Sequence, residues 1–449
     1  MSKHHFMLDD DAMGKVYDAK LYKRLFLFAK PYFLLIVVSL ILLLFATVSE
    51  LFVPILTKIM VDRFIKAEIQ LLLDARFNGL VSFSIIFFCL LFLFSLIRYA
   101  QINLMFYVSQ RILVDIREKL FVHLKKLSLS FFQKQPVGRL VTRVINDIEV
   151  LNEFFTAGLV GVLADVFVLL GIVIFMLVLN WKLALVSYTI IPILFFVSAI
   201  FRKFIRPVYR DLRKILAKIN AFFAENISGM KIVQIFNRQK KHTKQFDKEV
   251  DQYFEKSMKS VKVYSVFFPF VNALSAFALG LVLWFGGIQH FKDVLTLGTL
   301  IAFTSYVQRF FRPIRDLSQK YNILQNSMAS SERIFKLLDM DDKIVETELP
   351  EKLENVLGKI EFKNVWFAYN EDQWVLKDVS FIVNPGEKIA LVGATGSGKT
   401  TIAMLIDRFF DIQKGTILLD GKDIKQISKT ELRKTIAIVL QDVFLFSGT

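Results

Sequence analysis

Long runs without a charged residue occupy the first two thirds of the chain: Pro31 to Ser49, Phe77 to Ile97, Leu183 to Phe201 and Val263 to Gln289. Each is rich in Leu, Ile, Val and Phe. About 20 apolar residues suffice to cross a hydrocarbon core about 30 Å thick, so each run is read as a membrane span. Phe154 to Trp181 is interrupted only by Asp165 and is counted as a fifth. The weakest candidate, Val294 to Gln308, has 15 uncharged residues before Arg309 and could instead be a buried or re-entrant piece.

Composition agrees. Of 449 residues 54% are hydrophobic, 47 are Phe, and only 22% are charged; that excess of apolar side chains excludes a soluble globular chain and a disordered one. One cysteine, Cys89, excludes an intrachain disulfide framework, and five histidines lack metal-ligand spacing. The 57 Lys+Arg against 41 Asp+Glu give a net charge of +16. With no interleaved basic and aromatic motif, that excess reports topology and contact with anionic lipid, and no nucleic-acid partner is expected.

Basic residues set the orientation. Lys20, Lys23, Arg24 and Lys30 crowd the first span, and the segments Arg98 to Glu153 and Arg202 to Lys262 are basic, so all three are placed in the cytoplasm. The short connections near Asn180 to Lys182 and His290 to Asp293 fall outside, and Lys58 to Arg76 is mixed in charge. With the more polar carboxyl-terminal part also inside, the number of spans is even, and six results if Val294 to Gln308 crosses. Helical periodicity continues through both inner segments, as in Leu113, Ile116, Leu120 and Leu124, or Ile215, Ile219, Phe222 and Phe223. The spans are therefore expected to extend into the cytoplasm as helices. Ala19 to Lys30 suits an amphipathic helix in the membrane surface or a simple helical cap on the first span. A cleaved signal peptide fits poorly, because a long polar segment precedes the first apolar run.

After Met340 the composition changes. Asp341, Asp342 and Leu349-Pro350 mark a linker, and from Lys359 short β-rich runs alternate with turns: Ile360 to Tyr369, Val379 to Val383, Lys388 to Val392, Thr416 to Leu419 and Ile436 to Leu440. Gly393-Ala394-Thr395-Gly396-Ser397-Gly398-Lys399-Thr400 matches G-x4-G-K-[ST]. Ile389 to Val392 runs in as a strand and Thr400 to Phe410 runs out as a helix. In that setting glycines let backbone N–H groups close around phosphates at a helix N-terminus, Lys399 reaches the β and γ phosphates, and the Thr400 hydroxyl binds Mg2+.

With these motifs the chain resembles the ATP-binding-cassette exporters along nearly its whole length. "VWFAY" with "WVLKDVSF", "GATGSGKTT" and "VLQDVFLFSGT" are similar to the family's A-loop, P-loop and Q-loop in their usual order. "FFQKQPVGRLVTRVINDIE" and "ENISGMKIVQIFNRQ" resemble the two intracellular loops of half-transporters of the multidrug and lipid exporter type. The resemblance implies residues 1–30 as a cytoplasmic terminus with an elbow helix, 31–339 as a six-helix transmembrane domain, 340–358 as a linker and 359–449 as the first part of a nucleotide-binding domain of α/β P-loop type.

It also implies that Tyr369 stacks on adenine with Val375 against the same ring, and that Gly393 through Thr401 surround the phosphates. Gln441 contacts Mg2+ and the attacking water, so Lys399 and Gln441 form the catalytic set, Thr400 and Gln441 the metal ligands, and Mg2+ and ATP the cofactors. Taken alone, Tyr369 reads as a sheet aromatic and Gln441 as a strand-end polar residue. Helices within Phe131 to Arg139 and near Leu212 to Ala217 resemble the coupling elements. The family's signature loop, Walker B aspartate, catalytic glutamate and switch histidine are not found within residues 1–449, so residues 1–449 are expected to be inactive alone. The implied function is export of a drug or lipid across a bacterial inner membrane by alternating access, with a second half-transporter as partner. The alternative is a degenerate subunit that binds ATP without productive turnover.

Overall fold

The computed structural model describes residues 19–65, 73–344, 346–347, 349–353, 355–370, 373–439, 441 and 444–446, with 73–76 and 314–319 as backbone only. The amino-terminal part of the expected 1–30 segment, part of the Lys58 to Arg76 loop and the end of the Q-loop segment lie outside these residues. The chain forms two compact units. One contains Tyr32–Val108 and Phe155–Ile323; the other contains residues 19–31, Ser109–Phe154 and the described residues from Leu324 onward.

Helices come first, as the hydropathy requires. They are α1 (Ala19–Ala29), α2 (Phe33–Met60), α3 (Leu73–Leu124), α4 (Leu129–Lys134), α5 (Val137–Thr142), α6 (Ile148–Glu153), α7 (Gly161–Tyr188), α8 (Ile190–Ser228), α9 (Met230–Ile235), α10 (Gln239–Phe291) and α11 (Leu297–Leu338). Among the described residues four helical stretches are long and apolar enough to cross a membrane: Ala19–Ile65, Phe77–Leu124, Val137–Tyr188 and Gln239–Phe291. The run Leu183 to Phe201 is divided at Thr189 between α7 and α8, and Val294 to Gln308 lies on α11, which soon meets Arg309 and Arg312. α8 likewise meets Arg202 and Lys203 directly after Phe201.

The connection expected near Asn180 is a break in α7, where φ is −163° and ψ is 103°. Asn180 holds it with both ends of its amide. Its oxygen accepts from Leu183 N–H at 3.0 Å, capping the following turn, and its nitrogen donates to Gln289 Oε1 at 2.9 Å.

The membrane-type unit has a continuous apolar interior in which Leu51, Ile172, Met176, Val282, Phe303 and Tyr306 are buried. Phe88 and Phe92 instead point outward from α3, 70% and 73% exposed. Aromatic side chains directed away from the protein suit a helix whose solvent on that side is lipid. The start of α11 is fastened to the π-helical turn Val61–Ile65 that follows α2, where Asp62 accepts from Gly298 N–H at 2.8 Å and from the Thr296 hydroxyl at 2.7 Å. Only glycine fits at 298, since a Cβ there would lie 2.4 Å from Lys58 O.

Asp165 lies on α7 and is bound by Lys320 of α11, whose ammonium also donates to Gly161 O at 2.9 Å. The π-helical turn Phe154–Val160 immediately precedes this pair. A carboxylate deep in an apolar segment thus has its own cation.

In the other unit, α1 is tied down by a bidentate pair from Arg24 to Asp339, and the same guanidinium lies 4.2 Å from the Phe335 ring centroid. Leu25 and Ala29 are buried while Phe26 and Leu27 are exposed, so α1 is amphipathic in fact as in sequence. The first inner segment becomes α4 and α5, separated at Gln135-Pro136. Ser128 caps α4 by accepting from Phe131 N–H at 3.2 Å, and Leu129 packs on the apolar core of the carboxyl-terminal sheet. The second inner segment turns at Gly229, followed by α9. Leu212 to Ala217, read as a coupling element, is instead the middle of the long α8, because nothing in its helical periodicity stops the helix before Gly229.

The carboxyl-terminal part forms an antiparallel sheet ordered β2-β1-β3-β4, from β1 (Ile360–Ala368), β2 (Trp374–Val383), β3 (Lys414–Leu419) and β4 (Lys422–Asp423), with α12 (Lys399–Ile406) and α13 (Lys429–Thr435). Two expected strands are absent from it. Lys388 to Val392 and the described part of Ile436 to Leu440 are extended but unpaired, with Val392 89% and Val439 94% exposed. An apolar run of this kind becomes a strand only when a neighbouring strand pairs with it, and among the described residues none does.

Gly415 is required where β3 meets β1. Its φ is +86°, and a Cβ would lie 2.3 Å from Asn364 O. Gly415→Ala is expected to cost about 2 to 4 kcal/mol of cassette stability, combining backbone strain with a clash that a rigid sheet cannot relieve. Urea unfolding followed through Trp366 and Trp374 fluorescence checks this; an unchanged midpoint would refute it.

Asp420 pins the linker to the same sheet, accepting from Leu357, Gly358 and Lys359 N–H at 2.9, 3.2 and 2.8 Å. Burial pushes its pKa up, but the three amides outweigh that and leave it below the ordinary value. Its stabilisation is therefore complete above the unfolded carboxylate pKa of about 4 and is lost as pH falls through the lower folded value. Asp420→Ala should flatten the acid limb of the cassette stability profile below about pH 4. Retention of the full acid limb in the variant would contradict the assignment.

Candidate nucleotide site

The P-loop is a glycine-shaped turn at the start of α12. Gly393, Gly396 and Gly398 have φ of 157°, 90° and 93°; the last two are left-handed, and Gly398 caps the helix in that conformation. Gly398 is also fitted to its surroundings, because a Cβ there would meet Leu376 Cδ2 at 2.7 Å and Val375 Cγ1 at 3.5 Å. Between them Ser397 N–H donates to Ala394 O at 3.1 Å and closes the turn; Ala394 and Thr395 are exposed. Such a loop directs successive amides to one side at the positive end of a helix dipole, an arrangement suited to anionic phosphate.

Lys399 is placed within this loop, its Nζ donating to Gly393 O at 2.9 Å and Ala394 O at 3.0 Å. Thr400 is exposed at the first turn of α12. Thr401 is buried, and its hydroxyl is 3.1 Å from Tyr369 Oη. Tyr369 is 37% exposed and meets Phe367 and Phe410 edge-on, with centroids at 4.8 and 5.1 Å.

The fold therefore brings Tyr369 and Val375 to the P-loop helix from β1 and β2. Gln441 is exposed, and among the described residues no hydrogen bond or ion pair joins it to the loop. The Tyr369–Thr401 hydroxyl contact was not foreseen in the sequence. Its only signal there is a residue with a hydroxyl immediately after the P-loop motif.

The chemistry fits a magnesium nucleotide at the level of residue type and loop shape. Lys399 lies on a glycine-turned loop at the head of α12, an exposed hydroxyl follows at 400, and Tyr369 stands beside Thr401.

Comparison with known proteins agrees with this geometry. The family described as "ABC transporter transmembrane region" matches residues 36–314, and that described as "ABC transporter" matches residues 376–449. The chain is 35% identical over 448 residues to the "Uncharacterized ABC transporter ATP-binding protein YknV" of Bacillus subtilis, covering 98% of this chain and 72% of that protein. It is 35% identical over 399 residues to the "Probable multidrug resistance ABC transporter ATP-binding/permease protein YheH" of the same organism, covering 88% and 58%. It is 32% identical over 351 residues to the "ATP-dependent lipid A-core flippase" of Syntrophus aciditrophicus, covering 78% and 58%. A P-loop of this shape on the same chain as a bundle of membrane-length helices, matched along both parts, places this protein in the ATP-binding-cassette (ABC) transporter family.

Proposed function

We propose that the chain is one half of an ATP-driven exporter that moves a hydrophobic or amphipathic substrate, a drug or a lipid, out of the cytoplasm or inner leaflet of a bacterial inner membrane. The observation that carries this reading is the joining of a nucleotide loop, Gly393 to Thr400, to an apolar helix bundle whose relatives bear multidrug and lipid-flippase names. Six spans, with both termini cytoplasmic, complete the topology.

In this reading the loop amides and the α12 N-terminus hold the phosphates, and Lys399 leaves the carbonyls of Gly393 and Ala394 to reach the outer ones. Thr400 and Gln441 would hold Mg2+, and Tyr369 with Val375 would hold the base. The metal neutralises charge developing on the transferred phosphoryl group. A second half-transporter supplies the other cassette, and the exposed α9 tip, with Ile232 and Ile235, is offered to it. Nucleotide shifts the equilibrium between inward-facing and outward-facing forms by its higher affinity for the closed pair of cassettes.

Residues 1–449 as an isolated polypeptide are expected to show no phosphate release above background. In this reading a working site is completed by the second cassette, and without it the transferred phosphoryl group lacks part of its electrostatic stabilisation, which costs several orders of magnitude in rate. Phosphate release in lipid nanodiscs, measured beside the Lys399→Ala form, tests this. Lys399-dependent turnover by the isolated polypeptide would show that the catalytic groups have been misassigned.

A further inference from the structure

A second site lies away from the P-loop, within the cassette-containing unit. The turn at Lys125–Ser128 with α4, the linker residues Asp341, Lys343, Ile344 and Glu346, and the cassette residues Phe409, Lys429 and Arg433 line an open cleft of about 780 Å³. The three walls are fastened to one another. Ser128 N–H donates to Asp342 O at 2.7 Å, and Lys429 Nζ donates to Ile344 O at 3.0 Å. A volume in the range of about 300 to 1,000 Å³ is that of a small-molecule site rather than a packing defect.

Its charge is strongly one-sided. Lys125, Lys126, Lys343, Lys429 and Arg433 line it, against two acids, Asp341 and Glu346. Lys343 lies 2.9 Å from Asp341, and Lys429 lies 3.7 Å from Glu346. Five cations less two acids leave an excess of three positive charges on the lining, and behind it Asp407 lies beside Arg433. Arg433 is held rigidly, its guanidinium 4.7 Å from the Phe409 centroid and donating to Asp407 O and Arg408 O at 3.4 and 3.2 Å. Lys125 lies 4.8 Å from the Phe121 centroid. Like charges confined to a concave wall repel one another and focus the field toward a counter-ion. Phe132 and Phe409 add apolar surface.

We propose that this cleft binds a soluble polyphosphate anion, a nucleoside triphosphate or inorganic polyphosphate, and thereby clamps the first inner loop to the linker and the cassette. Three or four negative charges on a chain of phosphates match the excess positive charge of the lining, and the Lys125 and Lys126 ammoniums can each donate to a separate phosphate oxygen. The proposal does not depend on the P-loop assignment, since no residue is shared.

Lysine footprinting tests it on the intact chain in nanodiscs, because acetylation by an N-hydroxysuccinimide ester reads every lysine separately. Tripolyphosphate at about four times its Kd should slow acetylation of Lys125 and Lys126 about fivefold, at an ionic strength matched with potassium chloride. Protection should persist in the Lys399→Ala chain and weaken about tenfold in affinity in Lys126→Glu, read at Lys125. Stronger protection by ATP than by tripolyphosphate assigns a nucleotide, and the reverse assigns inorganic polyphosphate. Protection of Lys399 alone, protection equalled by the matched chloride, or protection that appears only when phosphatidylglycerol is added to the nanodisc would overturn the proposal.

Discussion

Replacing Lys399 by alanine in a dimer completed by its second half is expected to reduce ATP-driven transport to background while leaving membrane insertion unchanged. The two effects separate because they rest on different parts of the chain. Insertion follows from charge-free runs such as Pro31 to Ser49 and Phe77 to Ile97, which no change at position 399 alters. Turnover depends on a charge placed in advance where negative charge gathers. Removing one such preorganised donor costs about a hundredfold to a thousandfold in rate, and Lys399 is the only cation in the loop Gly393 to Thr400. The loop itself should persist, because Gly396 and Gly398 set its backbone and Ser397 closes it without the lysine side chain. Vesicle transport is measured beside expression and protease accessibility. Unchanged ATP-driven uptake would remove the P-loop assignment, and loss of insertion would show that the lysine has a structural role.

Breaking the Asp165–Lys320 pair should destabilise the membrane unit more than any other single polar change there. The pair is largely buried, its side chains 21% and 18% exposed. Removing one partner strands the other charge in a medium that solvates it poorly, at a cost of about 3 to 5 kcal/mol. Replacing both, as in Asp165→Leu with Lys320→Met, is expected to be close to neutral, because desolvation of two ions offsets most of their attraction. Thermal unfolding of the four members of this double-mutant cycle in nanodiscs gives the coupling directly. Single variants as stable as the parent would show that neither charge is committed to the other. If the double variant also transports normally, the pair fastens α7 to α11 and takes no part in recognising substrate.

How much of this was legible in the sequence depends on the range of the interactions that decide each feature. The membrane helices were legible because hydropathy is local, and even the turn at Asn180 was visible as a gap between two apolar runs. The P-loop was legible because its glycines encode backbone angles directly. What failed or stayed hidden was settled at a distance. A carboxylate within an apolar run calls for a partner, but the one Asp165 takes lies 155 positions away, and nothing near Lys320 announces the pairing. The second short inner helix follows Gly229 rather than lying near Leu212, since periodicity shows that a segment is helical but not where the chain reverses. Ile389 to Val392 has the side chains of a strand, yet strand formation needs partners that no local pattern supplies. The approach of Tyr369 to Thr401 joins β1 to α12 and likewise depends on the assembled sheet.

The most direct measurement is uptake of a fluorescent amphiphile into inside-out proteoliposomes containing the chain paired with its second half. If the cassette drives the membrane helices, accumulation requires Mg-ATP, stops when ATP is replaced by a non-hydrolysable analogue, and disappears with Lys399→Ala. Accumulation that proceeds equally without ATP would contradict the account.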